Sequence, residues 1–398
     1  MHALKMLHQT LTKSCPAIHA CRLTALMDVV TALVQGQTLT VTALGRSSPR
    51  AISMKHGIKH SDRLIGNVHL HEERGAIYRA ITHRLLAGKR RPLILIDWSD
   101  YTSDRSTLLL RASVPVGGRA LTLYEEVHPV QAYGKAPIQK HFLQTLHALL
   151  PAPCRPIIIT DAGFAGPWFR AVQRRGWDYI GRIRHNLLYR RAAGGDWIKC
   201  KTLYAQATAT PRYYGAIELA RSHPFPCHLY VYQHPGKGRH KLTRQGRRSR
   251  SKHSKKNALR EQSPWLLVTS LRNEAVPAQH VIQLYRTRMQ IEEAFRDIKN
   301  QRTGFSLTDT RTRSPQRLAT LLLIGMLATL VVWMLGRLAE EKQLHYQFQA
   351  NTVKTQRVLS LFYLGCLLIL HGQASCTQRE CQHAFKLIQS DMLKQWIP

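Results

Sequence analysis

The sequence predicts a mixed α/β protein: an α/β domain carrying a β-rich insertion, with helical regions at both ends. Three observations carry this. Two short continuous apolar runs, Leu93–Ile96 and Ile157–Thr160, have the length and composition of central strands. Apolar residues at helical spacing fill the first 87 residues and most of the chain after Asn300. Between about 186 and 264, short strand-like segments such as "HLYVYQ" interrupt the alternation of strand and helix.

Residues 1–87 read as helices joined by short turns, for example "CRLTALMDVVTALVQG" and "HEERGAIYRAITHRLLAG". The stretch between them has the helix, turn, helix rhythm of a DNA-reading element, with Lys55, Lys59 and Arg63 on its later part. A plain helical bundle with a basic face fits the same pattern. At "RRPLILIDWSD" a strand is expected to end at Asp97. "STLLLRASVPV", the pair Gly117–Gly118 and "RALTLYEEVHP" then read as a hairpin. "QKHFLQTLHALLP" is an amphipathic helix, Ile157–Thr160 a second buried strand ending at Asp161, Pro167 the start of a helix, and Trp177–Ile183 a further strand. Three strands in a meander followed by alternating helix and strand is the order of a ribonuclease-H-like domain. The expected organisation is a helical DNA-binding domain over 1–87, a catalytic domain over 88–335 interrupted at about 186–264, and a helical C-terminal region over 336–398.

The 58 Lys and Arg outnumber the 23 Asp and Glu, a formal charge of +35 that calls for a polyanionic partner, most often nucleic acid. From Gly236 to Lys256 the chain holds ten Lys or Arg and no acid, a composition usual in loops whose natural counterion is phosphate. The eight cysteines form no CxxC pair and no regular framework, so free thiols are expected. His69 and His71 open a polar helix and there is no HExxH, so no structural metal is expected. Leu318–Leu335 is 18 residues without a charge, the length at which a membrane span becomes possible. Ser314 and Pro315 before it, and the shorter apolar run Val358–Leu370, favour helices buried in a large core.

Acidic residues are scarce, so those at strand ends stand out. Asp97 and Asp161 each close an apolar strand, and adjacent strands would bring both carboxylates to one edge of a sheet. Glu292 is a candidate third. It lies in "LYRTRMQIEEAFRDIKN", where Tyr285, Arg288, Glu292 and Lys299 fall within about 60° around the axis of a continuous helix. Leu284, Ile291, Phe295 and Ile298 give that helix an apolar face, and Arg286, Gln290, Glu293 and Asp297 its far side. Three converging carboxylates repel one another, and two Mg²⁺ ions about 3.5–4 Å apart would remove that cost and serve in-line displacement at phosphorus. Simpler roles exist for each: a strand-end Asp is a common turn or cap residue, and Glu292 can pair with Arg288 and Arg296 along a helix. Asp100, Asp104 and Asp178 are rival acids without the same strand-end placement.

The spacing Tyr285, two residues, Arg288, three residues, Glu292, six residues, Lys299, together with "LIDWSD" and "TDAGF", resembles the YREK signature and the two Asp motifs of bacterial insertion-sequence transposases of the fourth family. The likeness is strongest to the branch that includes the tetracycline-transposon transposase and runs from "CRLTAL" to "FQANTVKTQRVLS". It implies that Asp97, Asp161 and Glu292 are the DDE ligands of two Mg²⁺ ions, with Mn²⁺ able to substitute. Such enzymes cut one strand with water, form a hairpin with the freed 3′-hydroxyl, reopen it, and join the ends to target DNA. The resemblance also implies that Tyr285, Arg288 and Lys299 hold phosphates near the cut end and that Trp265 stacks on a flipped base. A core tryptophan is the competing reading of Trp265. Arg182 and Arg184 are further phosphate contacts on the same ground. The implied partners are double-stranded transposon ends and target DNA, bound by a homodimer, in a cytoplasmic, nucleoid-associated protein without a membrane anchor. A DNA-binding protein or repressor that has lost catalysis is the alternative.

Overall fold

The computed structural model describes residues 1–393 apart from 103, 185–186, 235–246, 253 and 256–261. Most of the basic run Gly236–Lys256 therefore lies outside the described residues. The chain divides into two compact units, one of Met1–Cys154 with Thr287–Ile397 and one of Arg155–Arg286. Both mix helix and strand, as the sequence predicts at the level of an α/β fold.

The first unit opens with five helices, α1 (His2–Ser14), α2 (Ala20–Gly36), α3 (Val41–Arg46), α4 (Met54–Ile65) and α5 (Val68–Leu85). Side-chain caps start four of them: His19, Thr40, Ser53 and Asn67 each accept a backbone N–H of the first turn. Helices α3 and α4 cross closely, and a Cβ on Gly57 would run into the Gly45 carbonyl. Three antiparallel strands follow in the order β3-β2-β1: β1 (Leu93–Asp100), β2 (Thr107–Val116) and β3 (Arg119–Pro129). The expected hairpin turn is present, with Gly117 and Gly118 at φ 51° and 89°, the left-handed pair that a two-residue hairpin loop requires. One boundary differs. β1 does not end at Asp97 but continues to Asp100, because Trp98, Ser99 and Asp100 go on pairing with Leu110, Leu109 and Leu108 of β2.

After α6 (Ala136–Leu149) the second unit begins. β4 (Ile157–Thr160), α7 (Gly166–Gln173) and β5 (Asp178–Ile183) form a right-sized strand–helix–strand crossover, and β4 and β5 are parallel. β6 (Leu188–Arg191), β7 (Gly194–Lys199), β8 (Arg212–Leu219) and β9 (Phe225–Tyr232) fall in the segment expected to be rich in short strands, and β10 (Trp265–Thr269) pairs with β9 and β5. The strand order is β4-β5-β10-β9-β8-β6-β7, antiparallel from β5 onward. Helix α8 (Ala278–Arg286) closes the unit.

The segment Leu284–Asn300, expected as one helix, is two. α8 stops at Arg286 and α9 (Met289–Lys299) begins beyond a turn at Thr287–Arg288. Gln290 and Ile291 donate their N–H groups three residues back, to Thr287 and Arg288, at 2.9 and 3.3 Å, a tightened geometry that breaks the continuous stripe. Asp297 does not face away from the protein either: it pairs with Arg119 of β3 at 2.8 Å and is half-buried.

Helices α10 (Pro315–Glu341), α11 (Leu361–Leu370) and α12 (Gln378–Leu393) complete the first unit. α10 is long and apolar enough to cross a bilayer, yet 89% of its most apolar window is buried within the chain, the position of a core helix. It packs against α2, α5, α11, α12 and β3. A Cβ on Gly336 would meet the Leu361 carbonyl and one on Gly365 the Val332 carbonyl, so α10 and α11 approach to backbone contact.

Candidate active site

Within the first unit, Asp97 of β1 is only 8% exposed. One carboxylate oxygen, Oδ1, accepts the Trp98 N–H at 2.8 Å, and the other, Oδ2, accepts from Arg288 Nη1 at 3.2 Å. The same Nη1 pairs with Glu292 Oε1 at 2.6 Å. One guanidinium nitrogen thus gathers two carboxylates from a strand and a helix far apart in sequence. Arg288 sits at the N-terminal end of α9, and Glu292, one turn further on, leans back towards it as an i,i+4 partner.

Lys299, at the other end of α9, donates to Ser99 Oγ at 2.7 Å and to the Asp100 carbonyl. Its ammonium lies 5.4 Å from the Phe295 ring centre, and the Arg111 guanidinium lies 4.7 Å from it. Burial, and then the Arg111 charge, pull the Lys299 pKa down to about 8, against the attraction of Asp100 and Asp97. Below that value it is a cation held by oxygen acceptors beside Asp97.

The donor chemistry suits a hard divalent cation, since Asp97 and Glu292 already turn carboxylate oxygens onto one shared positive group. Arg288 takes that position here. Among the described residues no group of three His, Cys, Asp or Glu side chains stands close enough to hold a metal. The rival acids of this unit have local work. Asp100 pairs with Arg105 at 3.4 Å, and hydrogen bonds from Thr102 and Ser106 hold Asp104 down to about 2.

In the second unit Asp161 directly follows β4, where its Oδ1 accepts the Gly163 N–H at 2.8 Å, the turn-forming bond an aspartate makes at a strand end. Asp178 accepts from Ser270 Oγ at 2.8 Å. Trp265, the first residue of β10, is half-buried in an aromatic group: stacked on His234 at 4.9 Å and edge-on to Tyr232 and Tyr285 at 5.8 and 4.9 Å. Tyr285 is buried, 3% exposed, and belongs to α8, so it does not share a helix face with Arg288. Arg182 is buried, and its Nη2 donates to Ser263 O and Oγ and to Pro264 O at 2.9, 2.9 and 3.2 Å, fixing the entry to β10. Arg184 follows β5 and is half-buried.

On α4, Lys55, Lys59 and Arg63 are exposed and spaced by four, which makes one basic stripe. Its neighbour Asp62 pairs with Arg317 of α10 and ties the helix to the core. Residues the sequence reading did not single out are Arg111 and Glu125. Arg111 stands across the β1–β2 ladder from Asp97 and is locked to Glu125 Oε2 by Nη2 at 2.6 Å and Nε at 2.7 Å, both side chains almost fully buried. A lone charged residue in the otherwise apolar β2, and the acidic pair Glu125–Glu126 in β3, were the available signals.

Residues 125–331 match the family model described as Transposase DDE domain, over half of the chain. Asp161 and Glu292 fall inside the matched segment and Asp97 before it. No curated protein matches the sequence. Among solved structures, the chain is similar to the piggyBac transposase in a cryo-EM synaptic complex with hairpin DNA, at 11% identity and a TM-score of 0.39 over 95% of this chain and 73% of that one. By the family model, the chain belongs to the transposase DDE-domain family.

Proposed function

We propose that the chain cuts and joins DNA at transposon ends, with Asp97, Asp161 and Glu292 as its acidic triad. The observation that carries this reading is the shared grip of Arg288 on Asp97 and Glu292. Two buried or half-buried carboxylates around a single cation amount to a site for positive charge next to a phosphate-binding group, and the family supplies the reaction class. Asp161 is proposed as the third acid on its place at the carboxyl end of β4. The meander β1–β3 and the parallel pair β4–β5 are read as parts of a ribonuclease-H-like catalytic domain, with 1–87 as the DNA-binding domain and 336–398 as the dimer contact.

Two Mg²⁺ ions, with Mn²⁺ as a substitute, would activate the attacking oxygen and neutralise charge on the leaving one. The chain's own groups do the rest. Asp97 and Glu292 supply carboxylate oxygens, and Arg288, once released from them, offers a planar fork to a phosphate. Lys299 adds a point charge oriented by Ser99 and the Asp100 carbonyl. The exposed face of Trp265 is a platform for an unstacked base, worth about 1–3 kcal/mol, with Tyr285 behind it as support. Arg182 is proposed to act through the backbone it holds, and Arg184, Lys55, Lys59 and Arg63 by contacting phosphates. The finer reading is a fourth-family insertion-sequence transposase of the tetracycline-transposon branch, working through a hairpin as a cytoplasmic, nucleoid-associated homodimer on inverted repeats. The test is cleavage of a duplex carrying the inverted repeats that flank the gene. Asp97→Asn, Asp161→Asn and Glu292→Gln are each expected to bind it and to lose Mg²⁺-dependent cleavage, and a variant that still cuts takes its residue out of the triad.

A further inference from the structure

The turn into α12 places two buried thiols against each other. Cys376 Sγ and Cys381 Sγ are 3.1 Å apart, closer than two sulfurs rest without a bond or a shared proton. Their approach is fixed by the backbone between them. Thr377 and Glu380 form a reciprocal capping box: Glu380 Oε2 accepts the Thr377 N–H at 2.7 Å, and Thr377 Oγ1 accepts the Glu380 N–H at 3.2 Å. Lys342, just after α10, holds Glu380 Oε1 at 2.6 Å, and the Cys381 N–H donates to the Thr377 carbonyl at 3.1 Å. The two sulfurs need move only about 1 Å to reach disulfide length.

We infer that Cys376 and Cys381 are an oxidisable dithiol, a modification site at which a hydroperoxide forms a reversible disulfide. Cys376 is the attacking sulfur, being 8% exposed against 2% for Cys381. The two sulfurs share a proton, and that contact first, with the backbone N–H groups of Ala3 and His2 at the positive end of α1 adding to it against desolvation, holds the Cys376 thiol below its usual range and Cys381 above it. The Cys376 thiolate attacks one peroxide oxygen, an S–O bond forms as the O–O bond breaks, and the departing oxygen leaves after protonation, as water from hydrogen peroxide or as an alcohol from an organic hydroperoxide. Sulfur is oxidised by two electrons and the peroxide reduced by two. Cys381 then attacks the sulfenic sulfur, an S–S bond replaces the S–O bond, and the thiol proton leaves with the hydroxide as water. Cys200, Cys227 and Cys366 are buried, and desolvation pushes their pKa values up, which keeps those thiols protonated.

The test uses the full chain, reduced, exposed to hydrogen peroxide, alkylated with iodoacetamide and mapped by mass spectrometry. The expected result is a Cys376–Cys381 species that carries neither alkyl group and is two hydrogens lighter than its dithiol form, with both thiols recovered after dithiothreitol. Alkylation of both cysteines after peroxide, or oxidation of Cys376 to the sulfinic acid without a disulfide, overturns the proposal. In Cys381→Ser the reaction is expected to stop at a Cys376 sulfenic acid that dimedone captures, and absence of that adduct overturns it as well. The exposed Cys21 reports general oxidation in the same sample.

Discussion

Asp97 in β1 stands directly opposite Arg111 in β2, yet the Arg111 guanidinium is committed to Glu125 in β3. The arginine thus brings positive charge close to Asp97 and Lys299 without giving up its own partner. Replacing Glu125 with Gln leaves Arg111 buried and unpaired, which is expected to cost about 3–5 kcal/mol. Exchanging both residues for apolar ones of similar volume should recover most of that loss. Urea denaturation of the single and double variants reads it, and a single variant as stable as the parent would show that the pair carries no such burden.

Arg288 and a divalent cation compete for the same two carboxylates. Arg288→Gln is expected to bind Mn²⁺ more tightly than the parent, whereas Asp97→Asn and Glu292→Gln bind it more weakly. Paramagnetic resonance of free Mn²⁺ during titration measures all three without any DNA. An unchanged affinity in Arg288→Gln would mean that the arginine does not guard the cation position.

Two groups on α9 give opposite pH effects. Lys299 is depressed to about 8 from 10.5, so between those values the unfolded chain holds the extra proton and stability rises with pH. Asp297 is raised to about 6 from 3.8: desolvation outweighs the attraction of Arg119, even with the two side chains 2.8 Å apart. From about 4 to 6 the folded chain therefore holds the extra proton, and stability falls as pH rises. Lys299→Met should abolish the alkaline rise and Asp297→Asn the acidic fall, as read from melting curves across pH.

The basic stripe of α4 predicts a salt effect. If Lys55, Lys59 and Arg63 each neutralise one phosphate, changing all three to Ala should lower the slope of log K against log salt by about 2.7. Fluorescence anisotropy on one labelled duplex over a range of NaCl gives that slope. A drop in affinity with the slope unchanged would assign the stripe to folding instead.

What the sequence reveals follows from how local each feature is. Leu93–Ile96, Ile157–Thr160 and the Gly117–Gly118 turn are fixed by neighbours in sequence, and all are found where expected. The break at Thr287–Arg288 carries no Gly or Pro, so a helical pattern runs through it unmarked. The extension of β1 through Asp100 depends on its partner strand, and the turn of Asp297 toward Arg119 on a hairpin far away in the chain. Residue types and spacing mark Asp97, Arg288, Glu292 and Lys299 as candidates, and the first unit holds these four near one another. That Arg288 joins Asp97 to Glu292, and that Tyr285 is packed behind Trp265, depends on tertiary contacts that spacing along a presumed single helix misrepresents.

Helices α10 and α11 offer the sharpest packing test. Gly336 and Gly365 lie where each helix touches the backbone of the other, at Leu361 and Val332, and both positions are themselves helical, so conformational freedom is not why they lack a side chain. Space is. A methyl at Gly365 must push the helices apart, and because α10 also packs against α2, α5 and β3, that displacement spreads through the core. Gly365→Ala is expected to cost about 1–3 kcal/mol, and Gly365→Val more, with an exposed glycine such as Gly75, which has open space around it, as the control. Gly75→Ala should instead be neutral or stabilising, since alanine is the better helix former by about 1 kcal/mol. Equal and small effects at both positions in chemical denaturation would mean that α10 and α11 do not meet as closely as described.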